Sequence, residues 1–285
     1  MNEFILTHEA AIRLAFFLGV FAAVAGAELR WPRRVLTVPK GRRWAHNIAL
    51  VVFNTVLVRL LFPAAAVGVA VYAAAREWGL FHAVSVAPAW AVLVSVVLLD
   101  LAIYLQHVMF HAVPVLWRLH RVHHADLDFD VTTGARFHPV EIILSMLIKF
   151  AVILLLGPPV VAVVIFEVLL NATAMFNHGN LRLPPSLDRI LRWLVVTPDM
   201  HRVHHSVADD EANSNFGFNL PWWDRLFGTY RDQPRGGHEA MTIGITTCRD
   251  PRIVARLPGM LALPFRRELG PYTINRRSWQ PEPRE

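Results

Sequence analysis

Long apolar runs dominate the first two thirds of the chain and predict membrane helices. A spanning helix needs about 20 apolar residues, because the hydrocarbon core is about 30 Å thick and a helix rises 1.5 Å per residue. Four runs approach or exceed that length, at residues 11–28, 47–75, 87–106 and 141–176. A Gly-Pro-Pro turn at 157–159 divides the last run and predicts a helical hairpin with short arms. The pattern therefore predicts an all-α integral membrane protein with about four to five membrane helices.

Two charged side chains interrupt these runs, and each is open to two interpretations. Arg59, together with Pro63, breaks the overlong run at 47–75. Its guanidinium either pairs or reaches the interface along its aliphatic stem, or it contacts the head group of a lipid substrate. Asp100 lies in the third run, where a carboxylate is costly unless it is paired. We expect it to accept an N–H from a histidine ring or to form an ion pair with an arginine.

The distribution of basic residues predicts the orientation. Six of them crowd residues 30–43, between the first two runs, and links of this kind face the cytoplasm. Counting crossings from there places residues 107–138, and the chain from residue 178 onward, on the same side. We therefore expect an integral protein of a bacterial inner membrane whose histidine-rich segments face the cytoplasm. A cleaved signal peptide is the less favoured alternative, because two glutamates precede the first apolar run.

Composition and charge support a membrane protein. Hydrophobic residues make up 54% of the 285 residues and charged residues 18%, whereas soluble domains have about 45–50% and about 25%. The net charge of +6 is explained by basic residues that flank membrane segments, so we expect no nucleic-acid partner. A single cysteine excludes a disulfide framework, a cysteine-rich zinc module and a cysteine-ligated iron–sulfur cluster.

Histidine is the unusual residue, since fourteen occur and ten of them fall in close spacings. Two lie four residues apart at the end of the third run, and the sequence HRVHH occurs at 120–124 and again at 201–205. On a helix these spacings place the rings on one face. Two single histidines lie at the ends of the hairpin, so they can meet on one side of the membrane. The candidate metal ligands are His107, His111, His120, His123, His124, His138, His178, His201, His204 and His205.

Clustered imidazoles point to metal chemistry. Neutral imidazole is the commonest metal-binding side chain, and ten rings are too many for one ion but suit two. The chain has neither paired Glu-x-x-His motifs nor an HExxH box, so an all-histidine site is predicted. Nearby carboxylates and amides can accept ring N–H groups and fix ring orientation; the candidates are Asp100, Glu141, Asn177, Asn180 and Asp199. The remaining histidines, expected to be interfacial or surface residues, are His8, His46, His82 and His238.

The ordered motifs resemble those of a known family. Asp100-x3-Tyr104-x2-His107-x3-His111 is followed by HRVHH at 120–124, Phe137-His138-Pro139, Asn177-His178-Gly179 and HRVHH at 201–205. This series resembles the fatty acid hydroxylase / sterol desaturase superfamily over about residues 95–232. Asn215-Phe216-Gly217 and the segment WDRLFGTY at 223–230 are similar to that family's sequence after the last box. Val108 departs from the arginine that many relatives carry there, which affects a local contact and not the metal ligands.

The resemblance implies a membrane di-iron oxygenase in which the boxed histidines hold two iron ions, which zinc can replace in purified protein. Such enzymes use O2 as co-substrate to hydroxylate or desaturate a C–H bond of a lipid, such as a sterol or a fatty acyl chain. Because the chain has no dinucleotide-binding fingerprint, the electrons must come from a separate reductase, ferredoxin or cytochrome. Two alternatives stay open, a membrane haem-binding electron carrier and a non-catalytic metal-binding membrane protein.

Three regions are expected along the chain. Residues 1–90 carry the N-terminal membrane helices and the basic cytoplasmic link. Residues 91–232 form the histidine-box catalytic domain, which includes the hairpin at 141–176 and a histidine-rich helical cap. Residues 233–285 form a C-terminal region that is interfacial or partly disordered. Within it, residues 249–269 are expected to lie along the membrane surface.

Overall fold

The computed structural model describes residues 4 and 7–274, and this part of the chain is helical and contains no β-strand. Residues 275–285, the end of the C-terminal region that is expected to be interfacial or partly disordered, lie outside the described residues. Five helical segments are long and apolar enough to cross a membrane, namely Glu9–Arg30, Lys40–Ala83, Pro88–Ala112, Pro139–Leu156 and Val160–Asn177. The predicted all-α membrane architecture, with its hairpin, is confirmed.

The helices are numbered here along the chain. The helices of the membrane region are α1 (Glu9–Arg30), α2 (Lys40–Leu61), α3 (Ala65–Ala75), α4 (Leu80–Ala83), α5 (Pro88–Ala112), α7 (Pro139–Leu156) and α8 (Val160–Asn177). The others are α6 (Pro114–His124), α9 (Pro185–Leu191), α10 (Pro198–His204), α11 (Asp209–Ala212), α12 (Trp222–Leu226), α13 (Gly237–Ala240), α14 (Pro251–Val254) and α15 (Leu257–Ala262). Two short 3-10 turns occur at Thr133–Ala135 and Leu263–Phe265.

Proline and glycine set the breaks between the membrane helices. The long second segment divides where α2 ends at Leu61, just before Pro63, because the residue before a proline disfavours the helical conformation. The hairpin turns at Gly157, whose φ of 58° is left-handed. A Cβ at that position would lie 2.1 Å from the carbonyl oxygen of Trp78. Glycine is therefore required there for both its conformation and its small size.

The short helices form a cap over the histidine-bearing end of the membrane helices. A core of buried side chains, including Trp117 and Val122 of α6, holds this cap together. Val254, Met260 and Leu263 from the C-terminal region belong to the same core. Residues 249–269, which are expected to lie along the membrane surface, thus also bury apolar side chains against α6.

A buried ionic network ties α2 to the segment that follows α6. Arg43, which belongs to the basic link at 30–43, is fully buried. Its guanidinium lies 3.0 Å from Asp126 and 2.8 Å from Asp130. Asp128 accepts the backbone N–H groups of Thr37 and Val38, each at 2.8 Å. The network fixes the end of α6, and with it the second histidine box, against α2.

Candidate metal centre

Nine of the ten predicted histidines converge at the junction of the cap and the membrane helices, and all nine are buried. The end of α5 brings two, α6 brings three, the end of α8 brings one, and α10 with the residue after it brings three. They fall into two groups, each with its ligand atoms within 4.8 Å of one another. The first group is His107, His111, His120, His124 and His204, and the second is His123, His178, His201 and His205.

In two rings of the first group, hydrogen bonds to the backbone determine which ring nitrogen carries the hydrogen. The Nδ1 atom of His107 lies 2.8 Å from the carbonyl oxygen of Phe216, and that of His204 lies 2.8 Å from the carbonyl oxygen of Ser214. Carbonyls only accept, so both rings donate from Nδ1 and, when neutral, carry a lone pair on Nε2. These two Nε2 atoms are nevertheless only 3.0 Å apart.

Two lone pairs at this distance repel each other unless a cation lies beside both. Ligand nitrogens bound at about 2.1 Å and at right angles around one ion would be about 3.0 Å apart. The Nε2 atom of His107 is also 3.1 Å from that of His120, and those of His111 and His124 are 3.1 Å apart. The spacing and the lone pairs therefore fit a shared metal ion.

The second group repeats this arrangement. His178 donates from Nδ1 to the carbonyl oxygen of Ala174 at 2.7 Å, so its neutral ring has a lone pair on Nε2. That Nε2 atom lies 3.1 Å from Nε2 of His123 and 3.0 Å from Nε2 of His201. One lone pair cannot accept from both neighbours. The donor set of the second group thus also suits a cation.

Burial keeps the rings neutral, which is the form that binds metal. Desolvation lowers the pKa of His120 and of His178 to about 3. It also lowers the pKa of His204 and of His205 well below the usual value, with neighbouring imidazoles adding to the shift. At neutral pH the site is therefore a cluster of uncharged donors.

One of the five predicted polar partners touches a boxed histidine. Glu141, in the first turn of α7, lies 2.6 Å from Nδ1 of His120 and accepts its N–H. Among the described residues, Asp100 forms a hydrogen bond or ion pair with neither a histidine ring nor an arginine. It accepts instead from the backbone N–H groups of Asn219 and Leu220 and from the indole N–H of Trp223. Both expectations for Asp100 are thus corrected: it anchors the chain just before α12.

The other three predicted partners hold the cap together at a distance from the rings. Asn177 donates to the carbonyl oxygen of Phe218 at 2.9 Å. Asn180 exchanges hydrogen bonds with the backbone of Arg34. Asp199 pairs with Arg33 and Arg202. The ring 3.5 Å from Asp199 is that of His238, which is buried and not on the surface as expected.

His138 is the predicted ligand that the structure places elsewhere. It is the N-cap residue of α7, where its Nδ1 atom accepts the backbone N–H of Val140 at 3.2 Å. Its Nε2 atom lies 3.3 Å from the carbonyl oxygen of Leu261. Both ring nitrogens are used, and the ring belongs to neither group. The tripeptide Phe-His-Pro marks the start of α7, and the prediction of His138 as a metal ligand is corrected.

Sequence reasoning assigned no role to the loop that orients the rings. Asp224 of α12 accepts the backbone N–H groups of Phe216 and Gly217, both at 2.8 Å. Burial raises the pKa of Asp224 to about 6. The loop in turn presents the carbonyls of Ser214 and Phe216 to the rings of His204 and His107. The only sequence signal for this role is the conspicuous segment at 215–230.

A cavity of about 500 Å³ adjoins the first group of histidines. His107, His120 and Phe218 line its inner end. Helices α1, α2, α5, α7 and α8 form its walls, which are mostly apolar. Its size is within the range of small-molecule sites, about 300–1,000 Å³. The arrangement places two candidate metal-binding groups of histidines next to a pocket within the membrane helices.

Part of the chain matches a known protein family. The model of the fatty acid hydroxylase family matches residues 92–229, which carry all nine converging histidines. Residues 92–229 thus match the fatty acid hydroxylase family, and the predicted resemblance to that superfamily is confirmed. No solved structure matches the chain.

Several characterised relatives share this region. The ornithine lipid hydroxylase OlsE of Rhizobium tropici is 31% identical over 63% of this chain and 52% of its own length. The alkylglycerol monooxygenase of Homo sapiens is 27% identical over 52% of this chain and 31% of its own. The cholesterol 25-hydroxylase of Rattus norvegicus is 25% identical over 56% of this chain and 52% of its own. The chain therefore spans about half or less of the length of these relatives.

Proposed function

We propose that this protein is a membrane-bound, O2-dependent di-iron oxygenase that hydroxylates a C–H bond of a lipid. The observation that carries the proposal is the convergence of Nε2 lone pairs, 3.0–3.1 Å apart, in two adjacent groups of buried histidines. Five rings would hold one ion and four the other. When bound, the two ions supply the oxidising power that ordinary side chains lack for an unactivated C–H bond.

The chain's own residues orient the histidine rings, exclude water from them and position the lipid. The backbone carbonyls of Ser214, Phe216 and Ala174, together with Glu141, each accept a ring N–H and so direct the opposite nitrogen inward. Phe137 stacks on His123 with the ring centroids 4.4 Å apart and shields that group from solvent. The cavity then brings the lipid to His107 and His120.

Hydroxylation is the favoured outcome because the named relatives are hydroxylases and monooxygenases of lipids. One atom of O2 enters the C–H bond and the other leaves as water, which consumes two electrons and two protons. A separate reductase, ferredoxin or cytochrome would supply the electrons. That partner would dock on the histidine-bearing side of the membrane, which the basic link at 30–43 predicts to be the cytoplasmic side.

The haem alternative conflicts with the spacing of the rings. Two axial nitrogens bind a haem iron from opposite faces, so they are about 4 Å apart. The ring nitrogens here are 3.0–3.1 Å apart and come from up to three rings at one point. This favours ions held by adjacent rings.

Metal content and oxygen incorporation test the proposal together. The protein is purified in detergent, loaded with ferrous iron, and analysed for metal per chain and for a visible haem band. Lipids with ornithine head groups, alkylglycerols and fatty acids are then supplied separately with ¹⁸O2 and a reducing system. We expect about two irons per chain and one ¹⁸O atom in a product alcohol. Less than one iron per chain after loading, or a haem Soret band, would contradict the proposal.

A further inference from the structure

A cluster of charged side chains lies within the membrane helices at the end of the cavity away from the metal centre. The carboxylate of Glu167 in α8 forms ion pairs with the ammonium of Lys149 in α7 at 2.9 Å and with the guanidinium of Arg13 in α1 at 3.0 Å. Glu167 lies about 10 Å and about 15 Å from the two ends of α8, at 1.5 Å per residue. Glu167 is therefore near the middle of its own helix, where a charge is costly and usually functional.

Arg59 is the cation of this cluster without a counter-ion. Arg13 is also paired with Glu9, so two carboxylates neutralise Arg13 and Lys149. Arg59, near the end of α2, lines the cavity and attracts Glu167 only at longer range. Within the described part of the chain, no hydrogen bond or ion pair reaches its guanidinium. The cluster thus keeps one positive charge in excess.

The cavity connects this excess charge to the metal centre and to the surrounding lipid. Its lining runs from Arg59 at one end to His107 and His120 at the other. Leu14 of α1 and Thr55 of α2 line it and are exposed on the outer surface of the membrane helices. A lipid can therefore enter sideways, between α1 and α2, without passing through the cap.

Polar groups between the two ends favour a head group over a bare hydrocarbon chain. Asn54 lines the cavity and is only 6% exposed. Its Nδ2 atom donates to the carbonyl oxygen of Phe137 at 2.8 Å, which fixes the orientation of the amide. Its Oδ1 atom is buried and has no partner. Such an oxygen is stabilised by a ligand that brings a hydroxyl or N–H donor.

We propose that Arg59 binds the anionic oxygen group, a carboxylate or a phosphate, of a lipid whose head group enters this cavity. The proposal rests on the proposed function, because it identifies the substrate class of the same site. A guanidinium forms paired hydrogen bonds with carboxylates and phosphates. Such a pair would satisfy a charge that the described part of the chain leaves without a partner. Arg59 is thus the residue that selects anionic over neutral lipids.

Equilibrium binding tests this without relying on turnover. Radiolabelled oleate, lysophosphatidate and oleyl alcohol are bound separately to the full chain in phosphatidylcholine nanodiscs. We expect oleate or lysophosphatidate to bind at least about tenfold more tightly than oleyl alcohol. The anionic ligand with the higher affinity identifies the group that the site recognises. Equal binding of all three by the unaltered protein would overturn the proposal, whatever the variants do.

Three variants localise the effect. Arg59→Gln should remove the preference for the anionic lipid, while Arg59→Lys should keep most of it because the charge remains. Arg76→Gln is the matched control, since Arg76 is an exposed arginine of the same segment that stacks on Tyr72 outside the cavity. A preference that survives in Arg59→Gln would overturn the proposal. Iron per chain is measured in each variant, so a failure of the metal site is distinguished from a failure of lipid recognition.

Discussion

At the scale of single residues, a backbone carbonyl decides which nitrogen three of the converging rings turn toward the site. The Nδ1 atoms of His107, His178 and His204 each donate to a main-chain oxygen, so the lone pair on Nε2 faces inward. His138 shows the opposite case, because its Nδ1 atom accepts a backbone N–H at the start of a helix. Rings that look equivalent in the sequence therefore have different chemical roles.

Replacing a converging ring and replacing His138 should have different effects. His204→Ala removes a ring whose Nε2 atom lies 3.0 Å from that of His107, at the proposed position of an ion. We therefore expect the iron content to fall by about half or more and turnover to fall at least about 100-fold. His138→Ala should keep full iron content, because its ring nitrogens serve the N-cap of α7. Elemental analysis of detergent-purified variants measures both.

The exposed His82 supplies the control for these two variants. His82→Ala should match the unaltered protein in iron content and in turnover. If His138→Ala loses as much iron as His204→Ala, the assignment of nine ligands is wrong and His138 must move into the site when metal binds.

Glu141 should tune the affinity of the first group for metal. It accepts the Nδ1–H of His120 at 2.6 Å and thereby fixes which nitrogen faces the ion. Loss of a partner of this kind typically costs about 10- to 100-fold in metal affinity. We therefore expect Glu141→Ala to weaken iron binding by that factor, and Glu141→Gln to weaken it less because an amide oxygen still accepts. Competition with a chelator of known affinity measures the change, and unchanged affinity in Glu141→Ala would contradict it.

At the scale of elements, the loop between α11 and α12 acts as a support for the first group. Asp224 holds two backbone N–H groups of this loop. In Asp224→Ala both lose their acceptor while buried, which costs about 1–3 kcal/mol each. We expect a lower unfolding midpoint and reduced iron content, measured by thermal denaturation and elemental analysis. Glu239→Gln, an exposed ion-pair residue, should change stability by less than about 1 kcal/mol.

The elements differ in how far the sequence predicted them. Hydrophobicity located the membrane helices, because a span must satisfy its backbone within an apolar stretch of fixed length. The Gly-Pro-Pro turn located the hairpin, since Gly157 needs a left-handed conformation. Spacing predicted that the rings of each HRVHH segment share one helical face, because positions three and four residues apart are neighbours on a helix.

Contacts between distant segments were not predictable from spacing. Arg43 meets Asp126 and Asp130 across more than eighty residues, so nothing local marks it as buried. Asp100 contacts backbone N–H groups about 120 residues away, and such partners leave no trace in residue identity. The prediction that His138 is a metal ligand was wrong for a related reason. A histidine just before a helix can be an N-cap residue or a ligand, and the sequence is the same in both cases.

At the scale of the whole molecule, nine buried imidazoles make the fold itself sensitive to acid. Burial lowers the pKa of His120 and of His178 to about 3, whereas an unfolded histidine has a pKa of about 6.5. Below that value the unfolded chain binds more protons than the folded one, so stability falls as the pH falls. The loss begins near pH 6.5 and continues down to about pH 3.

We therefore expect the metal-free protein to unfold at a lower temperature at pH 5.5 than at pH 7.5. Each such histidine contributes about 1.4 kcal/mol of destabilisation per pH unit below about 6.5, so the converging rings together make the shift large. Iron-loaded protein should resist the change until protons displace the metal, because ligand nitrogens must be deprotonated to bind. Thermal denaturation of both forms in one detergent measures this. A metal-free midpoint that is unchanged or higher at pH 5.5 would show that the rings are not held neutral by burial.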